Sequence, residues 1–139
     1  MVAAGQCHTV LLTRDGTAAA CGSNRSGQCD IPPLAEGQTY TQVAAGGYHT
    51  ALLTSIGTVT ACGANDSGRC DIPPLAAGQT YTQVDAGACH TVLLTSDGTA
   101  VACGTTILAS ATFRRWPQAR FTDLVFCKRC CCRRFSTET

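Results

Sequence analysis

TYTQVAAGGYHTALLTSIGTVTACGANDSG, residues 39–68, holds the pattern that decides the fold. Thr39 to Ala45 is rich in Thr, Tyr and Val, whose branched or aromatic side chains suit a pleated strand. Tyr48 to Thr54 is a second apolar run, carrying Leu52 and Leu53. Ser55-Ile56-Gly57 reads as a tight turn, and Thr58 to Cys62 as the strand returning from it. Gly63 to Gly68 collects Gly, Asn, Asp and Ser, which supply the positive-φ and side-chain-capped conformations of a loop. No window spaces its apolar residues at i, i+3, i+4 and i+7, so the stretch predicts strands and no helix.

The pattern recurs at a spacing of 41 residues to either side. His8, His49 and His90 stand in register. So do Gly5, Gly46 and Gly87; Gly16, Gly57 and Gly98; Gly22, Gly63 and Gly104; and Cys21, Cys62 and Cys103. Cys29-Asp30-Ile31-Pro32-Pro33-Leu34 repeats as Cys70-Asp71-Ile72-Pro73-Pro74-Leu75, and about three quarters of residues 3–43 are identical to their partners in 44–84. The two other copies of the turn, Arg14-Asp15-Gly16 and Ser96-Asp97-Gly98, carry the Asp-Gly pair that marks a short hairpin. Pro73-Pro74 cannot donate ladder hydrogen bonds, so it belongs to an edge or a connection. Three or four short antiparallel strands per repeat of this length make a propeller blade. The expected fold class is therefore all-β: a partial β-propeller of about two and a half blades, with an irregular C-terminal tail.

Composition divides the chain at residue 104. Residues 1–104 carry three arginines against seven acidic residues and hold all 14 glycines, whereas residues 105–139 carry seven basic residues against two acidic ones. The expected organisation is repeats over 1–104 (units 3–43, 44–84 and a partial 85–104) and a weakly structured, basic, Cys-rich tail over 105–139. The net charge of +1 argues for neither a nucleic-acid nor an acidic partner. No stretch reads as a secretory signal or a transmembrane segment. A cytoplasmic or nuclear setting follows, with the 11 cysteines mostly as free thiols. The repeat is entered and left part-way through a unit, which predicts a fragment of a larger propeller or association with further propeller repeats.

The segments Gly46-Gly47-Tyr48-His49-Thr50-Ala51-Leu52-Leu53, Gly57, and Cys62-Gly63-Ala64-Asn65-Asp66-Ser67-Gly68-Arg69 resemble the blade motifs of the regulator of chromosome condensation repeat family. Gly22-Ser23-Asn24-Arg25-Ser26-Gly27-Gln28 is similar to the last of these down to its Gln. Cys21, Cys62 and Cys103 stand where the family usually has Trp, as in the variant repeats of HERC-type ubiquitin ligase-like proteins. The resemblance implies a closed propeller. It implies no single activity, since relatives include exchange factors for small GTPases and propellers attached to ubiquitin ligase domains.

Each residue with chemical potential has a structural reading that outweighs the functional one. Metal ligands must converge, and one His per repeat is spread by a propeller around its axis. His8, His49 and His90 are expected to bond backbone near their Gly-x-x-His turns. The repeat cysteines read as packing thiols. Cys7-His8 and Cys89-His90 are adjacent along a strand and point to opposite faces, which argues against a nucleophile pair. No catalytic residue and no cofactor is expected. In the tail, Cys127, Cys130, Cys131 and Cys132 are weak candidates for zinc, because four thiols within six residues wrap one ion poorly. Phe113, Trp116, Phe121 and Phe126 interleave with arginines there, but no nucleic acid is expected.

The function expected is a non-enzymatic protein-binding module. Loops 23–30 and 64–71 would form its contact surface through Arg25, Gln28, Asp30, Asp66, Arg69 and Asp71. One alternative is the regulatory or targeting region of a HERC-type ubiquitin ligase or a guanine nucleotide exchange factor. Another is a thiol-rich zinc or redox protein.

Overall fold

The computed structural model describes residues 1–105 and 125–126. Nine strands fall into three antiparallel sheets of three. The first holds β1 (Val2–Ala4), β2 (His8–Leu12) and β3 (Ala18–Gly22); the second β4 (Tyr40–Ala45), β5 (His49–Thr54) and β6 (Val59–Gly63); the third β7 (Tyr81–Ala86), β8 (His90–Thr95) and β9 (Ala100–Gly104). Each runs as a meander, with the middle strand paired on both sides. The first strand of each sheet contacts the first strand of the next, so these strands gather on the inside of the curve. The all-β, partial-propeller reading is correct. The strand preceding each Gly-x-x-His turn opens the blade that follows, so residues 85–104 belong to a complete third sheet. A two-residue strand, β10 (Val125–Phe126), pairs parallel to β9. The rest of the tail, with Cys127, Cys130, Cys131 and Cys132, lies outside the described residues.

The period of two along each strand sends alternate residues to opposite faces. Val43 and its cross-strand partner Leu52 face the first sheet and pack with Val10 and Tyr40. Ala44, Ala51 and Leu53 face the third sheet and pack with Tyr81, Val84 and Leu93. Each seam between sheets is thus a separate apolar cluster. Each is extended by the connection that crosses it: Ile31 and Leu34 at the first, Ile72 and Leu75 at the second. The Pro-Pro stretch is indeed a connection, and a Tyr ties it down. Tyr40 Oη donates to the Pro32 carbonyl and Tyr81 Oη to the Pro73 carbonyl, both at 2.6 Å.

The β2–β3 hairpin shows why Asp-Gly suits this turn. Gly16 sits at φ 82°, and Asp15 accepts hydrogen bonds from the Thr13 hydroxyl, from Thr17 N–H (3.1 Å) and from the Thr17 hydroxyl (2.8 Å). These bonds hold the Asp15 carboxyl at about 2, and the matching set holds Asp97 at about 2. Ile56 replaces the carboxylate in the middle blade and stands exposed, leaving Thr54 to bond Thr58 alone. Ile56→Asp should therefore raise the melting temperature at pH 7. The folded-state carboxyl would sit below the ordinary 3.8, so the gain is full above that value and vanishes as pH falls through about 2. Melts of the two proteins at pH 7 and pH 2 test this.

Candidate functional site

The chain has two rims. The Gly-x-x-His turns and the loops after the third strands share one, because Ser23 N–H donates to the Cys7 carbonyl (2.7 Å) and Ala64 N–H to the Tyr48 carbonyl (2.8 Å). The hairpin turns and the segments leading into the next blade share the other, where Tyr40 N–H donates to the Gly16 carbonyl (2.8 Å).

At the first rim the histidines join one blade to the next. His8 Nε2 lies 2.9 Å from Thr50 Oγ1, and Thr50 Oγ1 donates to the Gln28 carbonyl at 2.7 Å. In the next seam His49 Nε2 lies 2.9 Å from Thr91 Oγ1, which donates to the Arg69 carbonyl at 2.7 Å. A hydroxyl has one proton, and a carbonyl only accepts. Thr50 and Thr91 therefore spend their protons on the carbonyls and receive from the imidazoles. His8 and His49 are fixed as neutral rings protonated on Nε2, each with a buried Nδ1 that has no partner among the described residues. Burial, chiefly, pushes the His49 pKa down to about 4, with the Arg69 guanidinium adding to it; burial lowers His8 and His90 as well. For His8 and His49 the expectation that the ring bonds backbone near its own turn is corrected. They reach a threonine in the following blade, and Gly5 and Gly46 leave room for the ring against the turn.

The cysteines complete the seams. Cys62 Sγ approaches the Gln28 carbonyl at 3.6 Å, and Cys103 Sγ the Arg69 carbonyl at 3.5 Å. Cys29 and Cys70 turn inside their own loops, onto the carbonyls of Ser23 (3.3 Å) and Ala64 (3.5 Å). Burial raises the Cys62 and Cys70 thiols to about 11, which disfavours the thiolate and hence nucleophilic chemistry. The described residues hold no group of three or more metal-ligating side chains.

The six candidate contact residues separate into three kinds. Asp30 and Asp71 brace their loops: each accepts from the Asn six residues earlier, at 2.7 and 2.8 Å, while that Asn accepts from the N–H of Cys29 or Cys70. Gln28 and Arg69 are buried in the seams, so exposure on a contact surface is corrected for both. Gln28 Oε1 accepts from Ser26 N–H at 2.9 Å. Arg69 donates to Asp66 (2.7 Å), to Ser67 Oγ (2.9 Å) and across the seam to the Ala88 carbonyl (3.4 Å). Arg25 and Asp66 are exposed and not built into the loop bracing, whereas Asp30 is exposed but tied to Asn24, and Asp71 is half-buried. The difference between Arg25 and Asp66 is coupled to the buried one: where Gln28 becomes Arg69, Arg25 becomes Asp66 and supplies the counter-charge. Sequence comparison passed over Tyr48, a large side chain exposed on the same rim where the other blades have Cys7 and Cys89.

The sequence profile described as "Regulator of chromosome condensation (RCC1) repeat" matches residues 2–28, 40–69 and 81–105, more than half of the chain. The chain belongs to the regulator of chromosome condensation repeat family. Each matched window runs through a three-stranded blade, and the first two end on the seam residues Gln28 and Arg69; the Ile-Pro-Pro-Leu connections fall outside. No curated protein sequence matches the chain. Among solved structures, it is similar to Prp20p from Saccharomyces cerevisiae (23% identity, TM-score 0.66, 75% of this chain and 32% of that one). It is also similar to human WBSCR16 (21%, 0.65, 74% and 34%) and to the ectodomain of the Physcomitrella patens receptor kinase CR4 (23%, 0.61, 80% and 30%). At these identities the likeness establishes the fold. The chain spans about a third of the length of each of these proteins. No helix among the described residues is long and apolar enough to cross a membrane.

Proposed function

We propose that this chain is a non-enzymatic protein-binding module and that its contact surface is the rim of Gly-x-x-His turns. The observation that carries this reading is the distribution of differences between nearly identical repeats. Exposed differences at this rim include Cys7 against Tyr48 and Arg25 against Asp66, on a backbone frame held constant by the seams. An exposed aromatic and an acid on the rim of one blade, with basic Arg25 one blade away, make a surface of mixed character that suits a protein partner. The neutral, buried histidines and raised thiols support the absence of catalysis. Tyr48→Ala and Asp66→Arg should each lower retention of the chain's protein partners at least fivefold in quantitative affinity capture, with unchanged melting for Tyr48→Ala. Ile56→Ser, on the opposite rim, should leave retention unchanged. Equal retention by all three would refute the assignment of the rim.

A finer reading is favoured by one comparison. The crystallographic study of Prp20p concerns its binding to Gsp1p and histones, and a second structure shows Prp20 bound to Kap60. This chain would then act as part of a regulatory propeller, of the exchange-factor kind or as the targeting region of a HERC-type ubiquitin ligase, in the nucleus or cytoplasm. Release of labelled nucleotide from a small GTPase, with and without the chain, distinguishes an exchange role from simple binding.

A further inference from the structure

Each seam sets a strand cysteine of one blade against a loop cysteine of the blade before it. Cys62, near the end of β6, brings its Sγ to 3.6 Å from the Gln28 carbonyl, and Cys29 is the next residue in that loop. Cys103, near the end of β9, stands 3.5 Å from the Arg69 carbonyl, and Cys70 follows Arg69. The neighbouring backbones touch as well. A β-carbon at Gly63, next to Cys62, would lie 3.2 Å from Gln28 Cα, and one at Gly104, next to Cys103, would lie 3.1 Å from Arg69 Cβ. Across a trans peptide the carbonyl oxygen and the following Cα share one side, about 2.8 Å apart, so Cys29 Cα stands within about 6.4 Å of the Cys62 sulfur. The same limit holds for Cys70 and Cys103. The Cys29 thiol rests on the Ser23 carbonyl at 3.3 Å and the Cys70 thiol on the Ala64 carbonyl at 3.5 Å, and rotation about the Cα–Cβ bond frees either one.

We propose that these pairs are cross-linking sites, at which a hydroperoxide joins Cys29 to Cys62 and Cys70 to Cys103 and so ties each blade covalently to the next. The loop thiol of each pair is half-buried and open to the oxidant, whereas Cys103 is fully buried, so the loop member reacts first. The Cys29 sulfur attacks the O–O bond of hydrogen peroxide, becomes a sulfenic acid and releases one water. The Cys62 sulfur then displaces the sulfenic oxygen, which leaves as a second water with the Cys62 proton. Two thiols are oxidised to one disulfide, and one peroxide is reduced to two waters. Burial, chiefly, lifts the Cys29, Cys62 and Cys70 thiols above their ordinary pKa, which slows the first step and keeps the pairs reduced until peroxide is in excess. This inference does not depend on the rim assignment above, since it concerns the seams and no partner protein.

The test treats the purified chain with excess hydrogen peroxide, alkylates the remaining thiols, isolates the monomer and cleaves it before each aspartate for mass mapping. Cys29 then falls in residues 15–29, Cys62 in 30–65, Cys70 in 66–70 and Cys103 in 97–122. Cys21 shares the first fragment, so the chain carries Cys21→Ser, a change at an exposed position. The expected products are 15–29 joined to 30–65, and 66–70 joined to 97–122. The cross-linked chain should melt about 5 °C or more above its reduced form. Adding Cys29→Ser should remove the first product, leave the second and lower that gain. The same treatment in concentrated urea should scatter the pairings, because the fold no longer selects them. Joining of 30–65 to 66–70 would pair Cys62 with Cys70 inside one blade and overturn the proposal. So would recovery of Cys29 and Cys62 unlinked at a peroxide dose that oxidises the exposed Cys7, or equal yields of the two expected products with and without urea.

Discussion

Gly46→Ala should destabilise the chain by about 3 kcal/mol or more, the largest effect expected of any single methyl group in the described residues. A β-carbon at Gly46 would lie 2.1 Å from His49 Cε1, 2.4 Å from His49 Nδ1 and 2.6 Å from the Gly87 carbonyl oxygen. Two of these atoms belong to a ring wedged in a seam, and the third is backbone of the next blade, so nothing nearby can swing away. Relief requires the ring to leave Thr91, which strands a buried Nε2–H and loses the bond at 2.9 Å. The contrast is Gly37→Ala. Gly37 sits at φ 78° with nothing within 4 Å of the would-be β-carbon, so it incurs only the conformational strain of a left-handed alanine, about 1 kcal/mol. Urea unfolding of both variants separates close approach from backbone conformation. Equal losses would mean that the His49 ring does not rest on Gly46 as described.

Close approach of this kind is only half visible in a sequence. Gly5, Gly46 and Gly87 announce themselves by recurring three residues before each histidine, and the strands announce themselves by β-branched and apolar runs. The hairpin boundaries follow from Asp-Gly and from Gly57. These are local properties, fixed by residues adjacent in the chain. What the seam histidines bond is not local: His8 and Thr50 are 42 positions apart and meet only once two blades pack. The burial of Gln28 and Arg69 was hidden for a related reason. A position that differs between repeats looks like surface, yet here Asp66 changes in step with Arg69, and the pair keeps a guanidinium neutralised inside a seam. The one signal available was that coupled change within a single loop. Tyr48 stayed hidden because an aromatic next to a repeat histidine reads as core until the face it occupies is known.

Lowering the pH from 6.5 to 4 should cost the chain about 3 kcal/mol through His49 alone. The folded state holds this imidazole at about 4, chiefly by burial, against 6.5 for an ordinary histidine. In that window the unfolded chain binds the proton and the folded chain does not, so the unfolding free energy rises with pH. The stability is complete above 6.5, declines as pH falls, and is fully lost once pH is below about 4. His8 and His90 are shifted in the same direction and steepen the decline. Geometry explains why the folded state resists protonation. Nε2 already carries its hydrogen for Thr91, so the incoming proton must go to Nδ1, which is buried without an acceptor among the described residues and stands near the Arg69 guanidinium. Below pH 4 a second loss begins as Asp15 and Asp97, held at about 2, take up protons and release their turns. Urea unfolding at pH 7.5, 5.5 and 4 should show the first decline. His49→Gln should flatten it, because the glutamine amide can still donate to Thr91 but has no proton to gain. Parallel pH curves for the two proteins would show that the acid sensitivity resides elsewhere than in the seam between the second and third blades.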